Sequence, residues 1–173
     1  RFKEKNSFVT IGAGLDSRFG FNLKGIDLIF EIAQQFPHCI FYIVGGLGID
    51  KPTPVNIKLV DKIPNQELRQ FISNKQFYMQ LSMSEGFPNA LSEAMLCECV
   101  PIVSNVGGMP DIVSDCGYIL KHKNINELYE LVNSALNNFE LGKLAKKARQ
   151  RVVENYTFES RKEQLLLAIS KLI

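Results

Sequence analysis

Several things are scarce in this chain, and each scarcity excludes a class of protein. The longest wholly apolar run is about half a dozen residues, Cys39 to Val44, against the roughly 20 that a membrane-spanning helix needs. No transmembrane segment is therefore expected. Charge of one sign is not in excess: 20 Lys+Arg against 18 Asp+Glu leave a net charge of +2. Such a balance points to no nucleic acid as partner, although a pI near 8.3 is compatible with a local phosphate site. Metal-binding residues are few. The four cysteines Cys39, Cys97, Cys99 and Cys116 show no paired metal spacing, and the two histidines, His38 and His122, stand apart from Cys97-Glu98-Cys99. Buried reduced thiols are the better reading, with a cytoplasmic location as the corollary. There is no repeat, low-complexity tract or charge block. The chain opens on Arg1 without a leader of the charged-then-apolar kind, so part of a longer protein is expected.

What is present suits one soluble α/β domain. At 173 residues with 46% hydrophobic content, the chain can bury a core without disulfides or metal. Short β-rich runs alternate with helical patterns. Phe8 to Ile11 reads as a strand ending at Gly12-Ala13-Gly14, and a helix from Gly25 to Phe36 carries Ile26, Ile29, Phe30 and Ala33 on one face. Cys39 to Val44 is apolar throughout, as a strand covered on both faces must be, and stops at Gly45-Gly46. Further strands are expected at Ile57 to Val60, Phe77 to Leu81, Pro101 to Ser104 and Gly117 to Leu120. The intervening helices are expected over Gln66 to Ser73 with Asn65 as cap, from Pro88 through Leu96, and over Met109 to Ser114. Two or three helices close the chain. The first has a stripe of Leu128, Leu131, Val132, Ala135, Leu136 and Phe139 with Asn124 or Asn126 as cap, the second covers about Lys143 to Asn155, and Thr157 caps a third. About six strands alternating with helices imply a Rossmann-like, doubly wound parallel sheet, because parallel neighbours need crossover connections. Ligands of such sheets bind where loops leave the carboxyl ends of the strands. Those loops are Gly12 to Lys24, Gly45 to Asp50, Ser82 to Asn89 and Asn105 to Met109.

The most specific feature is Glu85-Gly-Phe-Pro-Asn-Ala-Leu-Ser-Glu93, with one carboxylate in a loop and the second in the helix that follows. Gly86 allows close backbone approach, and the N–H groups around Pro88, Asn89, Ala90 and Leu91 open a helix. A helix N-terminus attracts phosphate, and ionised carboxylates accept sugar hydroxyls firmly. A phosphate-binding terminus flanked by two hydroxyl acceptors describes a receptor for a nucleoside diphosphate sugar. Taken by spacing alone, Glu85 as a helix-cap anion and Glu93 as a solvated residue explain the pattern equally well.

In this segment and three others the chain resembles the C-terminal, donor-binding domain of the family-4 retaining glycosyltransferases, which have the GT-B fold. The resemblance runs from Phe8 to Ile173. The E-x7-E motif stands as Ser84 to Met95; Pro101-Ile102-Val103 and Gly107-Gly108-Met109-Pro110-Asp111-Ile112-Val113 follow it; Lys24-Gly25-Ile26-Asp27 and Ile43-Val44-Gly45-Gly46-Leu47-Gly48 precede it. The resemblance implies that Glu93 holds the ribose and that Glu85 faces the transferred sugar and leaving phosphate. Donor contacts are implied at Gly14 and Gly45 and at the backbone of Gly86, Phe87, Asn89, Ala90 and Leu91. Lys24 would neutralise the diphosphate, as a flexible point charge can. The family pairs this Lys with an Arg; here that slot reads Gly14-Leu15, and the nearest candidate is Arg18 in a longer loop. The base would lie near Val60 to Pro64. Cys99 replaces a glycine, so that turn must accept a Cβ, and Asp111 replaces a glutamate.

By the same resemblance, the donor is a UDP- or GDP-sugar, no cofactor or metal is required, and configuration is retained. The chain has no Asp-x-Asp element of the metal-dependent glycosyltransferases. The acceptor, a glycan or lipid, would be bound by an N-terminal domain absent from this chain, with peripheral membrane contact in the full-length protein, and the fragment alone would not turn donor over. The final helix would lie partly against that domain, exposing some of Leu165, Leu166, Ile169 and Leu172, or else pack on its own sheet. A nicotinamide-dependent dehydrogenase is disfavoured, since Gly12-x-Gly14 is followed by Ser17 where a third glycine belongs, and no P-loop occurs. A non-catalytic module binding a sugar nucleotide or a partner remains the alternative.

Overall fold

In the computed structural model, which describes residues 2–170 except 13 and 16, and only the backbone at 18, 158, 161, 163–165 and 168, the apolar runs assemble into one parallel sheet. Its strands are β1 (Glu4–Ile11), β2 (Ile40–Val44), β3 (Ile57–Val60), β4 (Lys75–Gln80), β5 (Val100–Ser104) and β6 (Tyr118–Leu120). They lie in the order β3-β2-β1-β4-β5-β6, every neighbouring pair parallel. The order reverses between β1 and β4, which places the crevice for a ligand above those two strands.

The helices cover both faces. On one side are α1 (Arg18–Leu23), α2 (Ile26–Gln35) and α6 (Ile125–Leu136); on the other are α3 (Asn65–Ser73), α4 (Asn89–Leu96), α5 (Met109–Val113) and α7 (Leu141–Asn155). The alternation along each strand sorts the core. Phe8, Phe41 and Phe77 are in register on β1, β2 and β4 and stack with ring centroids 4.7 Å apart on the α2 side, while Val9 and Tyr78 point to the α4 side. A row of three stacked rings across the central strands adds aromatic pairing to plain area burial, roughly 0.5–1.5 kcal/mol per pair.

Several local expectations are corrected. Residues 18–23 form a helix instead of continuing a loop: the Ser17 hydroxyl accepts from the Gly20 amide, and Phe21 packs edge-on against Phe30 of α2. Asn65 makes no cap; Pro64 holds the N-cap position of α3 without a side-chain bond. In α6 it is Asn124, not Asn126, whose side chain accepts two first-turn amides. Phe139 leaves the stripe, because α6 has ended by Leu136 and the ring stands fully exposed in the turn. Thr157 does cap α8 (Phe158–Ser170), accepting from the Ser160 amide. On α8, Leu166 and Ile169 are exposed, whereas the Leu165 side chain and Leu172 lie outside the described residues.

The thiols follow the same logic. Cys39, Cys99 and Cys116 are buried and Cys97 is half-buried; burial pushes the Cys39 thiol up to about 11 and that of Cys99 up to about 12. Cys99 fits its turn because Glu98 before it takes the left-handed conformation (φ 60°), and its Sγ turns inward to the carbonyls of Ile72 and Lys75, 3.3 Å from each. Among the described residues, no helix is long and apolar enough to cross a membrane.

Candidate functional site

The loops from the carboxyl ends of β1, β4 and β5 converge above the crevice, and backbone contacts lock them together. At the end of α1, Lys24 is the C-cap and Gly25 follows at φ 69°. A Cβ on Gly25 would stand 2.1 Å from the Leu81 carbonyl oxygen, so only glycine lets the chain pass β4 this closely. The Met83 amide then donates to the Leu23 carbonyl at 2.7 Å. From the other side, the Gly108 amide donates to the Gly86 carbonyl at 3.0 Å, and Gly107, at φ 56°, would drive a Cβ to 2.0 Å from the Glu85 carbonyl oxygen. The Glu85-Gly86 segment is thus held between the Lys24 turn and the Gly107-Gly108 turn.

This framework brings together two of the expected residues that lie far apart in the chain. Lys24 Nζ meets Glu85 Oε1 at 2.6 Å, with the lysine side chain 33% and the glutamate 14% exposed. Burial by itself would raise the Glu85 carboxyl; the Lys24 ammonium, with the Ser82 and Gln80 side chains nearby, outweighs it and holds the group below the usual carboxylate range. Glu85 is ionised at neutral pH, and Lys24 is its cation.

Next to the pair, α4 begins without a side-chain cap. Among the described residues, the amides of Gly86, Phe87, Asn89 and Ala90 form no hydrogen bond, so they are open to a ligand. The Leu91 amide is not, because it donates to the Pro88 carbonyl at 3.1 Å, and its buried side chain belongs to the core. Phe87 is half exposed, its ring 5.6 Å from that of Tyr156.

The remaining expected residues are more spread out. Glu93 is exposed on α4 and faces a cleft of about 380 Å³ between α3, α4 and α7, with Asn65, Arg69 and Arg149 on its walls. It does not touch Glu85. Gly14 is exposed, its carbonyl accepting from the Ser17 hydroxyl at 2.9 Å. Gly45 follows β2 and donates to the Val60 carbonyl at 2.9 Å, which commits that carbonyl of the 60–64 segment to the fold. Arg18 opens α1, and its side chain lies outside the described residues. Sequence reasoning passed over Tyr78, Gln80 and Ser82, a polar series at alternate positions leading up to Glu85. A Gln inside the run Phe77 to Leu81 was the available signal. Among the described residues, no group of three or more His, Cys, Asp or Glu side chains is arranged to hold a metal ion.

The chain resembles known proteins in sequence and in fold. An uncharacterized glycosyltransferase of Methanocaldococcus jannaschii is 28% identical over 142 residues, covering 81% of this chain and 37% of its own length. The O-antigen biosynthesis glycosyltransferase WclY of Escherichia coli is 27% identical over 123 residues, covering 66% of this chain and 35% of its own. The crystal structure of HepE from Anabaena in complex with UDP-glucose superposes with a TM-score of 0.77 at 15% identity, over 97% of this chain and 49% of that one. The chain thus spans between a third and a half of the length of these relatives. The family model for glycosyl transferases group 1 matches residues 17–155, from the cap of α1 to the end of α7 and across the whole Lys24–Glu85 site, and the chain belongs to that family.

Proposed function

We propose that this chain is the donor-binding half of a glycosyltransferase that moves a sugar from a nucleoside diphosphate sugar to a glycan or lipid-linked acceptor with retention of configuration, without a metal ion. The observation that carries this reading is the Lys24–Glu85 ion pair beside the unbonded amides that open α4. Cleavage of the anomeric C–O bond passes through an oxocarbenium-like transition state while negative charge grows on the departing diphosphate. In this reading Lys24 and the amides of Gly86, Phe87, Asn89 and Ala90 receive that charge, with Arg18 as a second cation. Binding of the diphosphate draws the Lys24 ammonium from the carboxylate toward phosphate oxygens, which leaves Glu85 to accept hydroxyl hydrogen bonds from the sugar. Glu93, at the mouth of the cleft between α3 and α4, takes the ribose hydroxyls. Likeness to a protein crystallised with UDP-glucose supports a uridine diphosphate sugar as the first donor to try, and likeness to an O-antigen biosynthesis enzyme supports a glycan acceptor. The acceptor is bound by a second domain across the cleft from this one in the full-length protein.

The test is Glu85→Ala and Glu93→Ala in the full-length protein, with donor binding and sugar transfer measured separately. Loss of the Glu93 acceptor is expected to weaken donor binding about tenfold, one hydrogen bond to a charged group. Loss of Glu85 is expected to lower transfer by about a hundredfold or more, as removal of one group that acts at the reacting centre does. If neither change altered either quantity, the assignment would be wrong.

A further inference from the structure

Helix α1 sends its side chains in two directions. Phe21 is buried and packs edge-on against Phe30, which fastens the helix to α2. Phe19, Asn22 and Leu23 stand at i, i+3 and i+4 and so share another face. Phe19 is 76% exposed. The Asn22 side chain is exposed as well and has no hydrogen-bond partner among the described residues. Folding gains little from an aromatic ring held out to solvent or from the unpaired amide next to it.

These three residues form one wall of a pocket of about 510 Å³, completed by Met83 from the loop after β4 and Lys123 from the loop after β6. That volume is within the range of small-molecule sites, roughly 300–1,000 Å³. The pocket adjoins the reacting pair. Leu23 precedes Lys24, Met83 lies two residues before Glu85, and the 2.7 Å bond from the Met83 amide to the Leu23 carbonyl ties the pocket wall to the Lys24–Glu85 site. Helix α1 belongs to the α2 and α6 face of the sheet, whereas the open amides of α4 and Glu93 belong to the opposite face. A donor laid along α4 leaves this pocket to the other reactant.

The lining narrows what that reactant can be. Phe19, Leu23 and Met83 are apolar, Asn22 offers an amide, and the Lys123 ammonium is already neutralised by an ion pair with Asp27. An anionic head group therefore meets no uncompensated charge among these residues. A plain alkyl chain would take the Asn22 amide and the Lys123–Asp27 pair out of water and give nothing back. A pyranose ring has both halves of the match: an apolar C–H face to lie on the Phe19 ring, and a rim of hydroxyls for Asn22 and Lys123. We infer that this pocket is an acceptor subsite, in which a sugar ring of the acceptor stacks on Phe19 and hydrogen-bonds to Asn22 and Lys123. The inference rests on the transfer reaction proposed above and specifies its acceptor as the sugar end of a glycan, met by this half of the enzyme as well as by the second domain.

The experiment is saturation-transfer NMR on the full-length protein in the presence of UDP, with the methyl pyranosides of glucose, galactose, mannose and N-acetylglucosamine as sugar probes and hexanol as the alkyl probe. At least one pyranoside is expected to bind, with saturation strongest on the C–H protons of one ring face. Phe19→Ala is expected to weaken that binding about fivefold or more, Phe19→Tyr to restore it, and Asn22→Ala to weaken it about threefold. Both positions are exposed, so the variants should melt as the native protein does. Binding of hexanol in place of the sugars, binding of no pyranoside, or pyranoside binding that Phe19→Ala leaves unchanged would overturn the inference. Titration of the same variants with UDP-glucose is read separately. Equal affinity throughout is expected, and a loss in Phe19→Ala would give the pocket to the donor's sugar and overturn its assignment to the acceptor. Failure of the unaltered protein to bind UDP-glucose would count against the proposed function and leave a Phe19-dependent sugar site standing.

Discussion

Two lysine–glutamate pairs, one at each end of the sheet, show how position decides what the same chemistry does. At the amino end, Lys75 Nζ lies 2.6 Å from Glu4 Oε2 and 3.8 Å above the Tyr42 ring, with the Phe71 ring at 4.8 Å. The Tyr42 hydroxyl donates to Glu4 Oε1 at 2.9 Å, and burial together with that glutamate pushes its pKa up to about 12. Lys3 closes the assembly by donating to the carbonyls of Lys75 and Cys97, 2.8 Å each. Every strong group there has an internal partner. At the carboxyl end, the Lys24 ammonium has Glu85 as its sole hydrogen-bond partner among the described residues, and the amides of Gly86, Phe87, Asn89 and Ala90 have none. The saturated pair is a fastening, and in the proposed function the unsaturated one is the receptor. A parallel sheet makes the asymmetry natural, since its carboxyl end carries the loops that are free to vary while the amino end must be sealed.

Substitutions that interchange or erase this contrast are ordered here by expected size. The largest effect is from Gly107→Ala, which combines a left-handed conformation with a Cβ driven into the Glu85 carbonyl; a loss of about 3 kcal/mol in chemical denaturation is expected, with weakened donor binding. Lys75→Met leaves Glu4 without its cation, and because Glu4 is one-third exposed the loss is expected to be about 2 kcal/mol, short of the full value for a buried pair, with donor binding unchanged. Asn124→Ala removes the α6 cap, far from both pairs, and should lower stability by about 1 kcal/mol with no effect on binding. The smallest effect is one of pH. Because the folded Glu85 carboxyl is held below its ordinary value, it contributes stability that is complete above the unfolded pKa of 4.5 and lost as pH falls through the folded one. Denaturation midpoints measured below pH 4.5 should therefore fall less steeply in Glu85→Gln than in the native protein.

The sheet was readable because its strands are short apolar runs set between glycines, and the helices because their apolar spacing is regular. What escaped reading had other causes. Glu4 to Ser7 extends β1 although its side chains are polar, since Glu4 finds its register opposite Lys75. Helix α1 was hidden by Gly20 and Asn22, which suit a loop; Phe21 docking on Phe30 overrides their preference. At the site, Glu85 stood out by motif, but nothing local joins it to Lys24, 61 residues away, and only the strand order does so. Gln80 was passed over because a single polar residue in an apolar strand has no meaning until its direction is known.

The central claim is that the unsaturated pair receives the donor's diphosphate. Calorimetric titration of UDP-glucose into the full-length protein and its Lys24→Met and Lys75→Met variants tests it most directly. The account predicts that Lys75→Met binds as the native protein does and that Lys24→Met binds about tenfold or more weakly, the loss of one charge-assisted contact. Equal affinity of Lys24→Met and the native protein would contradict it.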